Sequence, residues 1–310
     1  MHFYFAPMEG ITGYIYRNAY HDFFTEADKY FTPFLTPHTK RSFNSRERND
    51  LLPEHNLDMY VVPQILTKSG EDVGMIAEKL AEFGYTEINI NAGCPSGTVV
   101  SKGRGAGLLA DLRALDSFLD TLFTCTSAAV SIKTRIGMES REEFPDILNI
   151  YNTYPFRELI IHPRVRKDYY NNTPDLEMFA YAAAHSSIPL VYNGDIVSID
   201  SYERICREFP DIHAIMLGRG ILKNPGLIGE LQGKPPISRD ALLAFHNRLL
   251  ADYRQEMSGD KNVLFKMKEL WSYLGYSLPG AERTLKKIRK SSRLEEYTAT
   301  VAELLNEKRR

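Results

Sequence analysis

Eight short apolar or alternating segments recur along the chain, and stretches with helical spacing separate them. Each segment has the length and the β-branched or aromatic content of a buried strand. The predicted strands are residues 3–7, 29–35, 60–66, 86–91, 128–134, 158–162, 189–193 and 213–217. The predicted helices between them include residues 13–24, 71–83, 111–123, 141–151, 174–185 and 198–209. Strands that alternate with helices form a parallel sheet with right-handed crossovers.

Eight parallel strands are the number that closes a (β/α)8 barrel, so we expect an α/β fold of the TIM-barrel type. The alternative is an open doubly wound sheet, which usually has a GxGxxG turn after its first strand. This chain has APMEGITG at that position, residues 6–13, which favours the barrel.

The cysteines and the apolar runs limit the cellular setting. Cys94, Cys125 and Cys206 have no metal-ligand spacing, so we expect no metal site. Their sparse, odd number fits a reducing cytoplasm, and no apolar run approaches the roughly 20 residues that span a bilayer. We therefore expect a cytoplasmic protein with no membrane contact and no obligate protein partner.

The C-terminal part differs from the rest in charge. From Arg239 onward there are 15 basic and 10 acidic residues, a net charge of +5, while the preceding residues carry a net charge of −7. The Pro/Gly-rich segment QGKPPIS, residues 232–238, separates a barrel domain at 1–232 from a small all-helical domain at 239–310. Four cations with helical spacing form what we call the basic ridge: Arg283, Lys286, Lys287 and Lys290. This spacing favours a phosphate-binding face over a merely solvated one.

Polar residues cluster where the predicted strands end, which is the rim on which barrel enzymes assemble their sites. The strand ends carry Pro7, Met8, Gln64, Asn91, Cys94, Lys133, His162, Asn193, Gly194, Asp195, Gly218 and Arg219. The last two strands of such barrels commonly hold a phosphate, and glycines let backbone N–H groups approach an anion. We therefore expect a phosphate-bearing ligand. Lys133 is a candidate to face that ligand, although pairing with a carboxylate or with solvent is the alternative, and His162 alone would more often be structural.

The segments APMEGIT, VPQI, NINAGCPS, KGRGAG, IKTRIG, IIHPR, NGDI and LGRG together resemble the tRNA-dihydrouridine synthases. The resemblance covers the whole barrel in the family's order. It implies an FMN-binding barrel and a helical domain that grips tRNA, and reduction of the C5=C6 bond of selected uridines with electrons from NADPH. One departure is His162-Pro163-Arg164, where many members have His-Gly-Arg, in a region that faces the substrate in the family.

The resemblance also implies roles for single residues. Ala6, Pro7 and Met8 would lie against the flavin, and Gln64 and Lys133 would bond its pyrimidine edge. Asn91 would position the flavin or the uracil. His162 would lie beside the ribityl chain or the phosphate. Asn193, Gly194, Asp195, Gly218 and Arg219 would hold the phosphate.

Cys94 would be the catalytic acid. An unperturbed thiol is mostly protonated near neutral pH and can give a proton to C5 of the uracil. Gly93 is expected to let the backbone turn tightly, and Pro95 to keep the turn extended. Cys125 and Cys206 belong to helical stretches, Cys125 just beyond the predicted bounds 111–123, and both are expected to be inert.

RNA contacts are expected from charged loops near the rim and from the basic ridge. The predicted contacts are Lys40, Arg41, Arg135, Arg164, Arg166, Tyr169, Arg283, Lys286, Lys287 and Lys290. The alternative enzyme is an FMN-dependent barrel oxidoreductase acting on another RNA or on a small pyrimidine or enone. A third hypothesis is an RNA-binding protein with a vestigial flavin site.

Overall fold

The computed structural model describes residues 1–38, 43–278 and 280–306 of the chain. All strand pairs in this part are parallel. The strands are β1 (His2–Phe5), β2 (Lys29–Phe31), β3 (Val61–Val62), β4 (Gln64–Ile65), β5 (Glu87–Ala92), β6 (Ala129–Arg135), β7 (Glu158–His162), β8 (Leu190–Tyr192) and β9 (Ala214–Leu217). Each of the eight predicted segments contains strand residues.

The strand order is β3-β2-β1-β9-β8-β7-β6-β5-β4. The two strands at the ends of this order, β3 and β4, are separated in the chain by Pro63 alone, which has no N–H for the ladder. Because β3 pairs with β2 and β4 pairs with β5, the interrupted segment occupies one position and the sheet closes on itself. The expected (β/α)8 barrel is confirmed.

Helices surround the barrel between the strands. They are α1 (Tyr14–Phe23), α2 (Ser45–Leu51), α3 (Gly70–Glu82), α4 (Gly97–Val100), α5 (Leu112–Cys125), α6 (Phe144–Tyr151), α7 (Leu176–His185), α8 (Ile199–Glu208), α9 (Arg219–Lys223) and α10 (Leu227–Leu231). The predicted helix at 141–151 is divided, because a 3-10 turn at Arg141–Glu143 precedes α6. None of the helices in the described residues has the length and apolarity that crossing a lipid bilayer requires.

The barrel has an apolar interior that is closed by charges at its N-terminal end. Inward-facing side chains form a buried cluster of their own, distinct from the larger core between sheet and helices: Tyr4, Ala6, Phe31, Val62, Ile160, Val191, Ala214 and Met216. Below it, Lys29 donates to Glu87 and to Glu158, at 2.9 Å each. These three residues each begin a strand, so barrel closure brings them together at the end opposite the candidate site.

Within residues 239–278 and 280–306, four further helices follow the barrel: α11 (Arg239–Glu256), α12 (Asp260–Leu274), α13 (Glu282–Lys290) and α14 (Leu294–Asn306). Residues 232–238 form neither helix nor strand. The four helices have a buried centre in which Trp271 Nε1 donates to the Tyr297 hydroxyl at 2.7 Å. Helix α11 also packs on the barrel, with the ring centroid of Phe245 4.9 Å from that of Phe24 and 5.6 Å from that of Tyr16. The helical region is therefore attached to the barrel by an aromatic contact.

Candidate active site

A cavity of about 530 Å³ opens at the C-terminal ends of the barrel strands. Every residue predicted to hold the cofactor lines it, and so do Cys94 and Arg135. The predicted cofactor residues are Ala6, Pro7, Met8, Gln64, Asn91, Lys133, His162, Asn193, Gly194, Asp195, Gly218 and Arg219. The fold thus brings residues from many strand ends to one place, at the end of the barrel where barrel enzymes bind their ligands.

Side-chain amides form a hydrogen-bonded chain along the wall that β4 and β5 contribute. Asn91 Nδ2 donates to Gln64 Oε1 at 2.8 Å, and Gln64 Nε2 donates to Asn89 Oδ1 at 2.7 Å. Asn91 Oδ1 accepts from the backbone N–H groups of Gly93 and Cys94, at 3.1 and 2.9 Å. The amide chain therefore fixes the turn that carries the thiol. It leaves the second Nε2–H of Gln64 without a partner among the described residues, available to a ligand.

The turn at Cys94 depends on the glycine-rich segment that follows it. The N–H of Ala106 donates to the Cys94 carbonyl at 3.0 Å. Gly105 has φ +57°, and a Cβ there would lie 2.9 Å from the Cβ of Cys94. A side chain at Gly105 would thus be both strained and obstructed. The expectation for Gly93 is wrong, since its φ is not positive and a Cβ would meet nothing closer than 3.4 Å. The side chain of Asn91 shapes the turn instead.

Cys94 is half-buried and faces the cavity. Burial raises the pKa of its thiol above the usual 9.0 and outweighs the opposing effects of the Ser96 backbone, Arg135 and Lys133. The thiol is therefore protonated near neutral pH. A protonated sulfur that faces a ligand cavity can serve as a general acid.

The side chain of Lys133 lines the same cavity. It has no hydrogen-bond or ion-pair partner among the described residues, so the alternative in which it pairs with a carboxylate is wrong. Burial, followed by the charge of Arg135, lowers its pKa from the ordinary 10.5 to about 7. A buried amine that lacks a counter-ion binds an anion favourably, because the anion stabilises the protonated, charged form of the amine.

The predicted phosphate-binding residues form a charged rim. Arg219 donates to Asp195 Oδ1 at 2.5 Å, and Arg164 donates to both oxygens of the same carboxylate. Burial would raise the pKa of Asp195, but the hydrogen bonds and charges of the two arginines outweigh it and lower that pKa. The Asp195 carboxylate is therefore an anion held between two cations. A phosphate at this rim would have to bind through Arg219 and the backbone rather than through the Asp195 side chain.

An exposed tyrosine that the predicted site did not include stands over this rim. The ring of Tyr170 lies 4.6 Å from the guanidinium carbon of Arg219 and 5.6 Å from that of Arg135, and it lines the cavity. Its position beside Tyr169 in a cationic loop was the available sequence signal. The predicted set also left out Glu9, Phe34 and Lys223, which line the cavity from loops and from α9. Phe34 and Glu9 lie at or just after predicted strand ends, so they could have been included, whereas Lys223 lies six residues beyond the last predicted strand.

Two arginines predicted to contact RNA are buried. Arg164 is 1% exposed, and its five N–H groups have acceptors in His162, Asp195 and the carbonyls of Asn171 and Asn172. A guanidinium has only five donors, so none is left for an RNA phosphate. The expected RNA contact of Arg164 is therefore corrected to an internal role.

Arg135 is also 1% exposed, and it donates to the carbonyls of Gly93, Val165 and Tyr169. It joins the Cys94 turn to the loop after β7. Because Arg135 lines the cavity, any ligand contact it makes would be inside the cavity rather than on the RNA-facing surface.

The remaining predicted RNA residues are spread over the surface. Arg166 lies over the ring of the exposed Tyr169 at 5.2 Å, on the loop after β7. Lys40 and Arg41 lie outside the described residues. All four residues of the basic ridge are exposed on α13, while Ile288 is buried and Leu285 packs against the core. Lys287 lies 3.7 Å from Glu303. The ridge residues do not line the cavity.

Fold and cavity together define a (β/α)8-barrel enzyme whose polar site holds a protonated thiol and an uncompensated ammonium. The sequence matches the family model of dihydrouridine synthase over residues 4–307. The chain therefore belongs to the dihydrouridine synthase family, a family of oxidoreductases.

Curated relatives span most of the chain at low identity. A probable tRNA-dihydrouridine synthase of Helicobacter pylori is 25% identical over 86% of this chain and 81% of its own length. A tRNA-dihydrouridine(16) synthase of Vibrio parahaemolyticus is 26% identical over 92% of this chain and 90% of its own length.

Solved structures with a similar fold are much more distant in sequence. Morphinone reductase in complex with tetrahydroNAD aligns with a TM-score of 0.54 at 11% identity, over 76% of this chain and 88% of that one. The old yellow enzyme homologue from Zymomonas mobilis aligns with a TM-score of 0.53 at 11% identity, over 76% and 90%. At this identity the likeness concerns the barrel alone.

Proposed function

We propose that this protein is an FMN-dependent tRNA-dihydrouridine synthase of the cytoplasm that draws electrons from NADPH. The observation that carries the proposal is the presence of Cys94 and Lys133 on one cavity at the C-terminal end of the barrel. The names of the curated relatives support tRNA as the substrate.

The residues present fit a flavin mononucleotide. The ammonium of Lys133, unpartnered among the described residues, favours an anion, and the free N–H of Gln64 on the same cavity suits a carbonyl of the flavin's pyrimidine edge. Arg219, Asn193 and Gly218 lie at the ends of the last two strands, where barrels commonly hold phosphate. The polar, cation-rich wall and the volume of about 530 Å³ suit a planar ligand with an anionic tail.

The bound flavin would supply the hydride that reduces the C5=C6 bond of uracil. Cys94 holds a proton on its sulfur, and the turn fixed by Asn91 aims that sulfur into the cavity. Lys133 stabilises negative charge on the ligand edge that it contacts. Tyr170, on the loop after β7, lies at the rim of the cavity. A uridine must leave its stack to reach this depth.

The barrel and the helical domain have different functions in this proposal. We assign flavin binding and chemistry to residues 1–232 and the grip on tRNA to the helical domain that begins at 239. The exposed basic ridge supports that assignment, because four clustered cations favour a polyanion. A reductase of small pyrimidines or enones has no use for such a surface.

The test compares Cys94→Ala with Cys125→Ala, which removes an exposed thiol at the end of α5. Both purified variants should be yellow with bound FMN. Cys94→Ala should form dihydrouridine on tRNA about 10²- to 10⁴-fold more slowly, the usual effect of losing a general acid, while Cys125→Ala should match the unaltered protein.

Each component of the proposal has its own contradicting outcome. Equal rates in the two cysteine variants would refute the acid role of Cys94. Colourless protein that fails to bind added FMN would refute the flavin assignment. Turnover of NADPH with free uridine or an enone, but not with tRNA, would favour the small-molecule reductase.

A further inference from the structure

A three-residue system at the cavity wall joins the buried His162 and Arg164 to the more exposed Asp195. Arg164 NH1 lies 2.8 Å from His162 Nε2 and 3.2 Å from Asp195 Oδ1. Its NH2 group donates to Asp195 Oδ2 and, at 2.6 Å, to the carbonyl of Asn172. His162 is 7% exposed and lines the cavity. The guanidinium thus connects the histidine to the rim without reaching the ligand space itself.

The contact between Arg164 and His162 fixes the protonation of the imidazole. A guanidinium has donors only, so the ring nitrogen that faces it must be an acceptor and carry no proton. The proton of the neutral ring must then lie on the other nitrogen. That nitrogen, Nδ1, has no partner among the described residues, and the side chain faces the cavity.

We propose that Arg164 is a positioning residue that locks His162 in one neutral tautomer, so that its Nδ1–H is a permanent donor to the ligand in the cavity. The ligand is FMN only if the proposed function holds, whereas the tautomer follows from residues of the chain alone.

The charges around His162 act in the same direction. Burial, and then the charges of Lys133, Arg135, Arg164 and Arg219, lower its pKa well below the usual 6.5. Asp195 is the nearby anion, and it is already held by Arg164 and Arg219. The ring centroid of Tyr170 lies 6.1 Å from that of His162. The imidazole therefore stays neutral near pH 7 and serves as a hydrogen-bond donor rather than as a proton shuttle.

The decisive measurement is nitrogen NMR of the imidazoles in flavin-free protein labelled at histidine, with the His162 signals assigned by their loss in His162→Asn. Unaltered protein should show one protonated and one bare nitrogen at His162, unchanged from about pH 5.5 to 8.5. Titration of His162 within this range, or protonation of both nitrogens, would overturn the inference. This result does not depend on whether the chain binds flavin.

Arg164→Lys tests the cause, because lysine keeps the charge but lacks the fork that bonds His162 and Asp195 together. His162 should then titrate or mix its tautomers. The matched control is Arg141→Lys, which changes a half-buried arginine that also bonds two carboxylates, Asp175 and Glu177, outside the cavity. A His162 that keeps its single tautomer in Arg164→Lys would refute the role of Arg164.

The pH dependence of FMN affinity gives a second readout. The ratio of the variant's Kd to that of the unaltered protein removes the titration of the phosphate itself. In Arg164→Lys, His162 can take up a proton when the anionic FMN binds, which tightens binding as the pH falls. The ratio for this variant should therefore fall towards low pH, by up to about tenfold per pH unit. For Arg141→Lys it should stay constant. A constant ratio for both would refute the positioning role, while absence of FMN binding by the unaltered protein would refute only the proposed function.

Discussion

Replacing Lys133 with methionine should stabilise the flavin-free protein and weaken its affinity for FMN. The pKa of Lys133 falls from 10.5 to about 7, chiefly through burial. At about 1.4 kcal/mol for each pKa unit, this lowers the free energy of unfolding by up to about 5 kcal/mol. Because the ammonium opens onto a cavity that water can enter, we expect a measured gain of about 2–3 kcal/mol in Lys133→Met.

The dependence of this gain on pH has a definite sign. Below pH 7 Lys133 is protonated in both the folded and the unfolded chain, so the whole cost of burying the charge is present. Between pH 7 and 10.5 the folded chain has lost the proton and the unfolded chain still holds it. The amount by which Lys133 lowers the free energy of unfolding of the unaltered protein therefore decreases as the pH rises from 7 to 10.5. The advantage of the methionine variant should shrink accordingly.

Urea unfolding of the flavin-free proteins at pH 6, 7.5 and 9 measures the stability difference, and flavin fluorescence measures the Kd. The control is Lys79→Met on α3, a helix that does not line the cavity, and it should show neither effect. The Kd of Lys133→Met should rise about 10- to 100-fold, the usual value of a charged hydrogen bond. A methionine variant less stable than the unaltered protein at pH 6, or an advantage that grows with pH, would refute the reasoning.

Three other changes test separate parts of the structure. Lys29→Met should lower the free energy of unfolding in urea at pH 7 by about 3–5 kcal/mol, because two buried carboxylates lose their shared cation. Adding Glu158→Gln should recover part of this loss, and an unchanged urea midpoint in Lys29→Met would contradict the prediction. Gly105→Ala should keep FMN but lose dihydrouridine formation and about 1–3 kcal/mol of stability, since the new Cβ meets Cys94; normal turnover would show that the turn adapts. Reversing the charges of the basic ridge should weaken tRNA binding and reduce the slope of log K against log salt by about 0.9 per lost phosphate contact, and an unaltered slope would remove the ridge from the interface.

The barrel was predictable because its signals are local. Alternation and β-branched content locate each strand within a few residues, and the count of eight then determines closure. The largest boundary error also has a local cause. The second strand was predicted to run from 29 to 35 but ends at Phe31, with a single bridge at Leu35, and Pro33 lies between them. The strand-end residues of the site follow from the same logic, because parallel strands end at one rim.

The features that sequence did not predict depend on closure of the whole fold. Lys29, Glu87 and Glu158 are far apart in the chain and each looks like an ordinary surface charge. Only the ring of strands brings them into contact at the closed end of the barrel. Arg164 shows the same difficulty, since the carbonyls of Asn171 and Asn172 that bury it come from a loop folding back on itself. The charged sequence of this loop therefore led to the wrong prediction that Arg164 is exposed.

Burial acts on Cys94 and Lys133 in the same way but with opposite consequences for catalysis. In both cases low polarity disfavours the charged form, so the thiol keeps its proton and the ammonium tends to lose one. Retention of the thiol proton makes Cys94 an acid before any ligand binds. The ammonium of Lys133, in contrast, is stabilised only when an anionic ligand binds beside it. An anion beside Lys133 would raise the pKa of the amine and draw a proton onto it. Its negative charge would also disfavour ionisation of the thiol. Binding of an anionic ligand would thus reinforce the state that each residue needs, which is why a single cavity can hold a proton donor and a cation together.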